Sequence, residues 1–207
     1  RFLVMGNVLR GHLYPLCVGA ERTLQAREVA RVAREAGAWA VAHGSTAAGN
    51  DQVRFEAALR VLAPGMELLA PIRDEGLSRE AETAWLTARG HAVPARTTRY
   101  SINRGLWGCT IGGRETNDTV ATLPEEAWVL TRGAFDAPRE PEVHAVTFRQ
   151  GVPVAVDGEP LDPVALVEGL DALAGPFGVG RGIHLGDTIF GLKGRVAFEA
   201  PAASILI

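Results

Sequence analysis

Cysteine is scarce in this sequence, whose 207 residues include only Cys17 and Cys109. Two cysteines exclude a disulfide framework and a cysteine-rich metal site, so we expect a reduced, cytoplasmic protein. Long hydrophobic runs are also missing, since none approaches the roughly 20 residues that span a bilayer. No signal-peptide pattern opens the chain. These absences predict a protein without a membrane partner.

An excess of positive charge is likewise absent. The formal net charge is -3, with 21 Lys and Arg against 24 Asp and Glu. This balance excludes the basic surface that is typical of nucleic-acid-binding proteins. Hydrophobic residues make up 47% of the sequence. The chain is therefore long and apolar enough to bury the core of one large domain or two small ones.

The first half of the sequence alternates amphipathic helices with short apolar strands. Helices are predicted over 21–36, from Asp51 (as N-terminal cap) to Pro64-Gly65, and from Ser78 to Gly90, and strands over 39–42 and 67–72. This alternation is typical of an α/β unit with parallel strands. Such sheets bind their ligands at the carboxyl ends of the strands. We therefore expect the chemistry in the loop after Ala42.

The second half has a different pattern. Strands at 142–148 and 152–156 flank a Gln150-Gly151 turn, which predicts a hairpin. A helix is predicted over 162–173, and the segment 183–198 is again strand-like with glycine breaks. Together these elements indicate an antiparallel α+β domain. We place the boundary near residue 95, which gives domains over 1–95 and 96–207.

The densest polar cluster is the segment 43–56, which reads His-Gly-Ser-Thr-Ala-Ala-Gly-Asn-Asp-Gln-Val-Arg-Phe-Glu. Its glycines allow a ligand to approach the backbone, and the N–H groups at a helix N-terminus bind anions. Asn50 and Asp51 can hydrogen-bond an amino acid, and Arg54 can clamp a carboxylate. A helix-capping Asp51 and a surface Arg54 fit the same pattern. His43 opens the loop, where we expect it to orient backbone rather than to transfer protons.

This segment resembles the His-Gly-x-Thr-Gly-Lys-Gly-Asn-Asp-Gln-Val-Arg-Phe-Glu loop of argininosuccinate synthases and differs from it only at Ala47 and Ala48. Other segments resemble landmarks of that family in the same order, namely 6–9, 14–16, 69–73, 100–108, 178–181, 191–193 and 198–201. The resemblance implies an α/β fold. It consists of part of a Rossmann-like nucleotide-binding domain of the adenine nucleotide alpha hydrolase type, followed by an α+β synthetase domain.

The resemblance also implies an AMP-forming carbon–nitrogen ligase of arginine biosynthesis. ATP, with Mg²⁺, would activate the ureido oxygen of citrulline as an adenylate, and the amino group of aspartate would displace AMP to give argininosuccinate. Positioning and electrostatics carry most of the rate in such a reaction. We therefore assign no catalytic side chain beyond the binding residues, and no metal ligand. The family further implies a homotetramer.

The binding residues are carried across by position. Gly44 would contact the nucleotide. Aspartate would be held by Thr46, Asn50 and Asp51. Citrulline would be held by Tyr14, Asn50, Arg54, Ser101 and Thr110, the last of which stands where the family usually has a serine.

Three positions depart from the family pattern more seriously. Ala48 replaces a lysine, Gly186 a citrulline-binding glutamate, and Phe198 a citrulline-binding tyrosine. A ligand group that loses its hydrogen-bond partner costs about 1–3 kcal/mol. Asp187 is a candidate replacement for the glutamate, although adjacent residues of a strand point to opposite faces.

Two alternatives to a synthase stay open at this stage. The protein is either a paralogue that ligates aspartate to a different ureido or amide acceptor, or a non-catalytic, degenerate paralogue. The family's Ser-Gly-Gly-Leu-Asp-Thr-Ser loop, which cradles the ATP pyrophosphate, does not occur here. The sequence is therefore expected to be part of a longer polypeptide or a short relative that cannot bind ATP alone.

The remaining reactive side chains predict no second site. His12, His91, His144 and His184 lack the spacing of metal ligands, so we expect them to be surface or structural residues. Cys109 has no base near it in sequence that would support a nucleophile.

Overall fold

A computed structural model describes residues 1–46, 50–93, 100–188 and 191–207. The chain divides into two compact units. The α/β unit comprises Gly19–Thr98 and Asp187–Leu192. The α+β unit comprises Arg1–Val18, Arg99–Gly186 and Lys193–Ile207. The first eighteen residues thus pack with the C-terminal half of the chain.

The α/β unit is built from helices and short strands in alternation. Its elements are α2 (Gly19–Glu35), β1 (Ala40–Ala42), α3 (Asp51–Leu62), β2 (Glu67–Leu69), α4 (Pro71–Asp74) and α5 (Arg79–Thr87). The small buried residues Ala26 and Ala30 of α2 pack in one cluster with Leu59 of α3 and Val41 of β1. Because alanine is small, the two helices can pack closely and cover the strands.

Strands β1 and β2 are parallel, as the alternation predicted, with Val41 opposite Leu68. The backbone N–H of His43 extends the pairing by donating to the carbonyl of Leu69 over 2.9 Å. Both strands therefore end at the same edge of the sheet. The loop that follows β1 leaves from this edge and leads to the first turn of α3.

Two details of the predicted α/β unit are wrong. The strand expected over 67–72 ends at Leu69, because Pro71 occupies the first turn of α4, where its fixed φ favours a helix. Asp51 is not the N-terminal cap of α3: the cap is Asn50, without a side-chain cap bond, and Asp51 is the first helical residue. The expected cap of α5 is confirmed, since Oγ of Ser78 accepts the N–H of Ala81 at 3.2 Å.

The α+β unit is antiparallel, as predicted from its hairpin pattern. Its elements are α1 (Phe2–Met5), β3 (Ser101–Gly105), β4 (Gly108–Gly112), β5 (Val146–Arg149), β6 (Val152–Val156), β7 (Glu159–Pro160), α6 (Pro163–Ala174), β8 (Arg181–Thr188), β9 (Gly191–Glu199) and α7 (Pro201–Leu206). The strands form a four-stranded sheet in the order β3-β4-β9-β8 and a three-stranded sheet in the order β5-β6-β7.

The hairpin and the long helix of this unit follow their sequence signals. Strand β5 begins at Val146 rather than at residue 142, and β6 coincides with the predicted strand. Helix α6 begins after Asp162, whose carboxylate accepts the N–H groups of Val164 at 2.9 Å and Ala165 at 3.2 Å. Its buried face, led by Leu166 and Leu170, packs in one cluster with residues of β6 and α7.

The two faces of the four-stranded sheet differ in character. Cys109 and Ile111 of β4 point to one face, opposite Glu199 and Ala197 of β9, and all four are fully buried. The intervening Thr110 points to the other face. None of the helices in the described ranges is both long enough and apolar enough to cross a membrane.

Candidate functional site

The loop after β1 begins with His43, Gly44, Ser45 and Thr46, and Thr46 is exposed. A Cβ added to Gly44 would meet only Cγ1 of Ile72 within 4 Å, at 3.9 Å, so the backbone there is open to an approaching ligand. Residues 47–49, which include the altered position Ala48, lie outside the described residues. The loop therefore presents Gly44 and Thr46 at the carboxyl edge of the parallel strands, where the sequence predicted a ligand.

His43 is hydrogen-bonded within the loop. The backbone N–H of Ser45 donates to Nδ1 of His43 over 3.3 Å. Its Nε2 lies 3.6 Å from Oε1 of Glu56 on α3, and that carboxylate is in turn paired with Arg73 of α4. The side chains of His43 and Glu56 are only 12% and 19% exposed. The expectation that His43 orients backbone fits its contact with Ser45.

The first turn of α3 gathers the charged residues of the candidate site. Nη1 of Arg54 donates to Oδ1 of Asp51 over 2.9 Å. The other carboxylate oxygen, Oδ2, lies 3.2 Å from Nε of Arg22 on α2. The backbone of Asn50 accepts the N–H of Arg54 over 3.1 Å, as in a regular helical turn. An amide, a carboxylate and two guanidinium groups therefore share one corner.

Arg22 is a residue that the sequence analysis missed. It lies 29 positions before Asp51, and nothing in its local pattern distinguishes it from the other arginines of α2. Its side chain is only 13% exposed, and its guanidinium group lies 5.9 Å from the ring centre of Phe55. An arginine so placed fixes the orientation of the Asp51 carboxylate as well as adding positive charge.

The α+β unit holds the other candidate residues. The ring of Tyr14 is 7% exposed and stacks on the imidazole of His184, with centroids 4.0 Å apart and an angle of 10° between the planes. The ring of Phe198 meets Tyr14 edge-on at 5.2 Å. His184 is thus a structural neighbour of a candidate binding residue, which its position in the sequence did not reveal.

Ser101 and Thr110 point to the same face of the four-stranded sheet. Thr110 stands opposite Asn103 on β3 and opposite Phe198 on β9. Residues directly opposite in an antiparallel pair share a face, and residues two apart on a strand do so as well. Ser101 therefore lies on the face of Thr110 and Phe198, and Tyr14 packs against that same Phe198. Tyr14, Ser101 and Thr110 are brought to one face of the α+β unit.

Phe198, one of the altered positions of this unit, is accommodated by packing. A Cβ on Gly182 would lie 2.4 Å from Cζ of Phe198, so the phenyl ring occupies the space that a side chain at 182 would fill. Phe198 is 2% exposed and packs in a cluster with Tyr14 and Ala203. Gly186 is buried in β8. The side chain of Asp187, considered above as a replacement, lies outside the described residues.

A buried carboxylate organises the opposite face of the sheet. Glu199 is fully buried, and its Oε1 accepts the N–H groups of Leu130 at 3.0 Å and Thr131 at 2.8 Å and the hydroxyl of Thr131 at 2.6 Å. Its Oε2 accepts the N–H of Val129 at 2.8 Å. A carboxylate so fully hydrogen-bonded holds the 129–131 backbone against β9. Its role is structural, and a family landmark was its only signal in the sequence.

Neither a nucleophilic Cys109 nor a metal-binding cluster is found in the described part of the chain. Burial, followed by the nearby charge of Glu199, raises the pKa of the Cys109 thiol to about 12, which disfavours the thiolate that a nucleophile requires. Within the ranges that the structure describes, no group of three or more His, Cys, Asp or Glu side chains is arranged to hold a metal ion.

Comparison with known proteins relates both halves of the chain to one family. A domain family described as the arginosuccinate synthase N-terminal HUP domain matches residues 3–94, and one described as the arginosuccinate synthase C-terminal domain matches residues 100–207. The chain is 41% identical over 194 residues to argininosuccinate synthase of Methanocaldococcus jannaschii, covering 94% of this chain and 49% of that protein. Two further relatives of the same name give similar figures.

These relatives come from bacteria. The Symbiobacterium thermophilum protein is 43% identical over 194 residues, covering 93% of this chain and 48% of the relative. The Lactococcus lactis protein is 39% identical over 203 residues, covering 98% of this chain and 51% of the relative. The chain thus spans about half the length of the curated relatives that it matches.

Proposed function

The chain belongs to the argininosuccinate synthase family, and on that premise we propose that the whole protein ligates citrulline to aspartate. The fold is a HUP-type, nucleotide-binding α/β domain followed by the family's C-terminal domain. In the proposed reaction the ureido oxygen of citrulline attacks the α-phosphorus of ATP and releases pyrophosphate. The amino group of aspartate then displaces AMP from the citrullyl-adenylate and gives argininosuccinate, a step of arginine biosynthesis.

The arrangement of charged residues in the first turn of α3 is the observation that supports the proposal most strongly. Asp51 lies between Arg22 and Arg54, and Asn50 precedes it at the cap. A carboxylate held in this way is oriented, so it is suited to binding the ammonium group of aspartate. The amide of Asn50 and the hydroxyl of Thr46 would complete the hydrogen bonds to that substrate.

We propose that citrulline is bound by Arg54, Asn50, Tyr14, Ser101 and Thr110. The hydroxyl groups of the last three are suited to the substrate's polar atoms, and Arg54 to its carboxylate. Because Asp51 already engages Arg54, a bound carboxylate would have to share this guanidinium group.

ATP is the proposed co-substrate, bound with Mg²⁺ on its phosphates. Gly44 is proposed to let the nucleotide approach the loop backbone. We also propose a cytoplasmic homo-oligomer, a tetramer by resemblance to the family. The division of the chain near residue 95 stays a proposal as well. The matched domain families meet between residues 94 and 100, whereas the compact units place residues 1–18 with the C-terminal half.

The relatives do not favour the two alternatives raised by the altered positions, because those described above all carry the name argininosuccinate synthase. The test is release of AMP and pyrophosphate by the full-length gene product, given ATP and aspartate with and without citrulline. Citrulline-dependent release supports the proposal. No release with citrulline would refute it, and other ureido acceptors would then be assayed.

A pair of matched arginine variants sharpens this test. Arg54→Gln should raise the KM for citrulline by roughly 10- to 100-fold, because it removes charge-assisted hydrogen bonds. Arg31→Gln removes an arginine that is 52% exposed on α2 and pairs with Glu28 and Glu35. The second variant should leave all three KM values unchanged. Equal effects of the two variants would argue against a binding role for Arg54.

A further inference from the structure

The imidazole of His43 lies between the backbone of the candidate loop and helix α3. Its Nδ1 accepts a hydrogen bond from the backbone N–H of Ser45 at 3.3 Å. A ring nitrogen that accepts is not protonated, so in the neutral ring the proton lies on Nε2. The ring nitrogen that carries the proton is thus the one that faces α3.

The acidic partner on α3 is itself firmly placed. Nε2 of His43 is buried and lies 3.6 Å from Oε1 of Glu56, which exceeds a hydrogen-bond distance. Arg73 of α4 pairs with the same oxygen of Glu56, and Arg60 lies 3.7 Å from its other oxygen. The carboxylate therefore cannot move far towards His43. A shift of the loop by less than about 1 Å would bring Nε2–H into hydrogen-bond range.

We propose that His43 is a positioning residue that ties the backbone of the candidate loop to helix α3. The tie holds Gly44 and Thr46, which lie on the loop, in a fixed place relative to Asn50 and Asp51, which begin the helix. The inference rests on the proposed function, since the loop is taken to bind the nucleotide and aspartate. His43 itself would touch neither substrate.

The chemistry of two variants separates the two halves of this tie. In His43→Asn the side-chain oxygen can take the place of Nδ1 and accept the N–H of Ser45. In His43→Gln the longer amide reaches the place of Nε2 and can donate to Glu56, but leaves the N–H of Ser45 without its acceptor. His43→Ala removes both contacts. His91→Asn, at an exposed histidine after α5, serves as the matched control.

Steady-state kinetics of the full-length enzyme gives the expected pattern. His43→Ala should raise the KM values for ATP and aspartate by roughly tenfold, because a misplaced loop weakens binding of both substrates. The KM for citrulline and the midpoint of urea unfolding should change much less. His43→Asn and His43→Gln each keep one half of the tie and should raise the KM values for ATP and aspartate less than His43→Ala does, and His91→Asn should change none. Wild-type KM values in His43→Asn would show that the contact with α3 is not needed. A uniform loss of stability without a change in either KM would overturn the proposal.

A second readout does not depend on activity. ¹⁵N NMR of histidine-labelled full-length protein, with the signal assigned by its loss in His43→Asn, reports which ring nitrogen carries the proton. A proton on Nε2 supports the tie, and a proton on Nδ1 overturns it. If the wild-type enzyme shows no citrulline-dependent release of AMP, the proposed function fails, and the NMR result alone decides the role of His43.

Discussion

Nε of Arg22 lies 3.2 Å from Oδ2 of Asp51, which joins the first turn of α2 to the first turn of α3. The arginine side chain is only 13% exposed, so water screens this pair less than it would a surface ion pair. The contact fixes one oxygen of the Asp51 carboxylate while Arg54 fixes the other. Loss of Arg22 therefore changes the orientation of Asp51 as well as the local charge.

Replacing Arg22 by Gln should raise the KM for aspartate by roughly 5- to 20-fold, because Asp51 then keeps only one charged partner. Steady-state kinetics with aspartate as the varied substrate measures the effect. Arg27→Gln is the matched control, since Arg27 lies on the same helix, is 61% exposed and pairs only loosely with Glu28 at 3.4 Å. An unchanged KM in Arg22→Gln would show that Arg54 alone orients Asp51.

The contact between His144 and Asp157 should make stability depend on pH. The hydrogen bond to Asp157, and then that to Glu142, raises the pKa of His144 above its ordinary 6.5. The protonated imidazole therefore stabilises the folded state. This contribution is fully present below about pH 6.5 and is lost as the pH rises through the raised pKa.

Asp157 acts in the opposite direction at the acidic end. The N–H of Ala145, and then His144, lowers its pKa below the ordinary 3.8, so its contribution is present above that pH and is lost as the pH falls through the lowered pKa. Urea unfolding of wild type and His144→Phe across this range measures the effect. The difference in stability between them should be largest between these limits and shrink above neutrality. A pH-independent difference would contradict the prediction.

Glu199→Gln should destabilise the protein by about 1–3 kcal/mol, because the amide NH₂ would face a backbone N–H and leave that donor buried without an acceptor. The two groups are nearly equal in size, so the change tests hydrogen bonding rather than packing. Chemical denaturation monitored by tryptophan fluorescence provides the measurement. Glu159→Gln, on the exposed strand β7, should leave the unfolding midpoint unchanged. If both variants unfold at the wild-type midpoint, the carboxylate does not hold the 129–131 backbone.

Two glycine-to-alanine changes should have opposite signs. Gly182→Ala would place a methyl group 2.4 Å from Cζ of Phe198, which forces the ring to move and costs about 1–3 kcal/mol. Gly169→Ala lies within helix α6, where an added Cβ meets nothing within 4 Å, and should stabilise by up to about 1 kcal/mol. Thermal unfolding of the two variants checks the signs. A neutral Gly182→Ala would mean that Phe198 can reorient freely.

Local signals predicted much of the fold. The cap Ser78, the helix predicted over 162–173, the Gln150-Gly151 turn and the parallel pairing of β1 with β2 follow from local sequence patterns, and all were confirmed. Asp51 was predicted wrongly as a cap, because its carboxylate pairs with two arginines instead. The local sequence pattern of a cap does not show that distant side chains compete with the backbone N–H groups for the same carboxylate.

The environment of the candidate residues was less predictable. Tyr14 and His184 are 170 positions apart in the sequence. The alternation of apolar and polar residues along a strand shows which side chains share a face, but it does not show which distant side chain packs against them. The partners of Glu199 lie 68 to 70 positions away for the same reason. The candidate residues were named from short sequence strings, whereas the groups that orient them depend on tertiary packing.

The packing of residues 1–18 with the C-terminal half has a consequence for synthesis of the chain. Sγ of Cys17 lies 4.0 Å from the carbonyl oxygen of Glu199, 182 positions later, and Tyr14 packs with Phe198 and Ala203. Closing so long a loop is entropically costly and slow. During translation the segment around Tyr14 therefore gains its packing with Phe198 and Ala203 only after α7 has left the ribosome. Helices α2 and α3, whose partners are close in sequence, can form long before that.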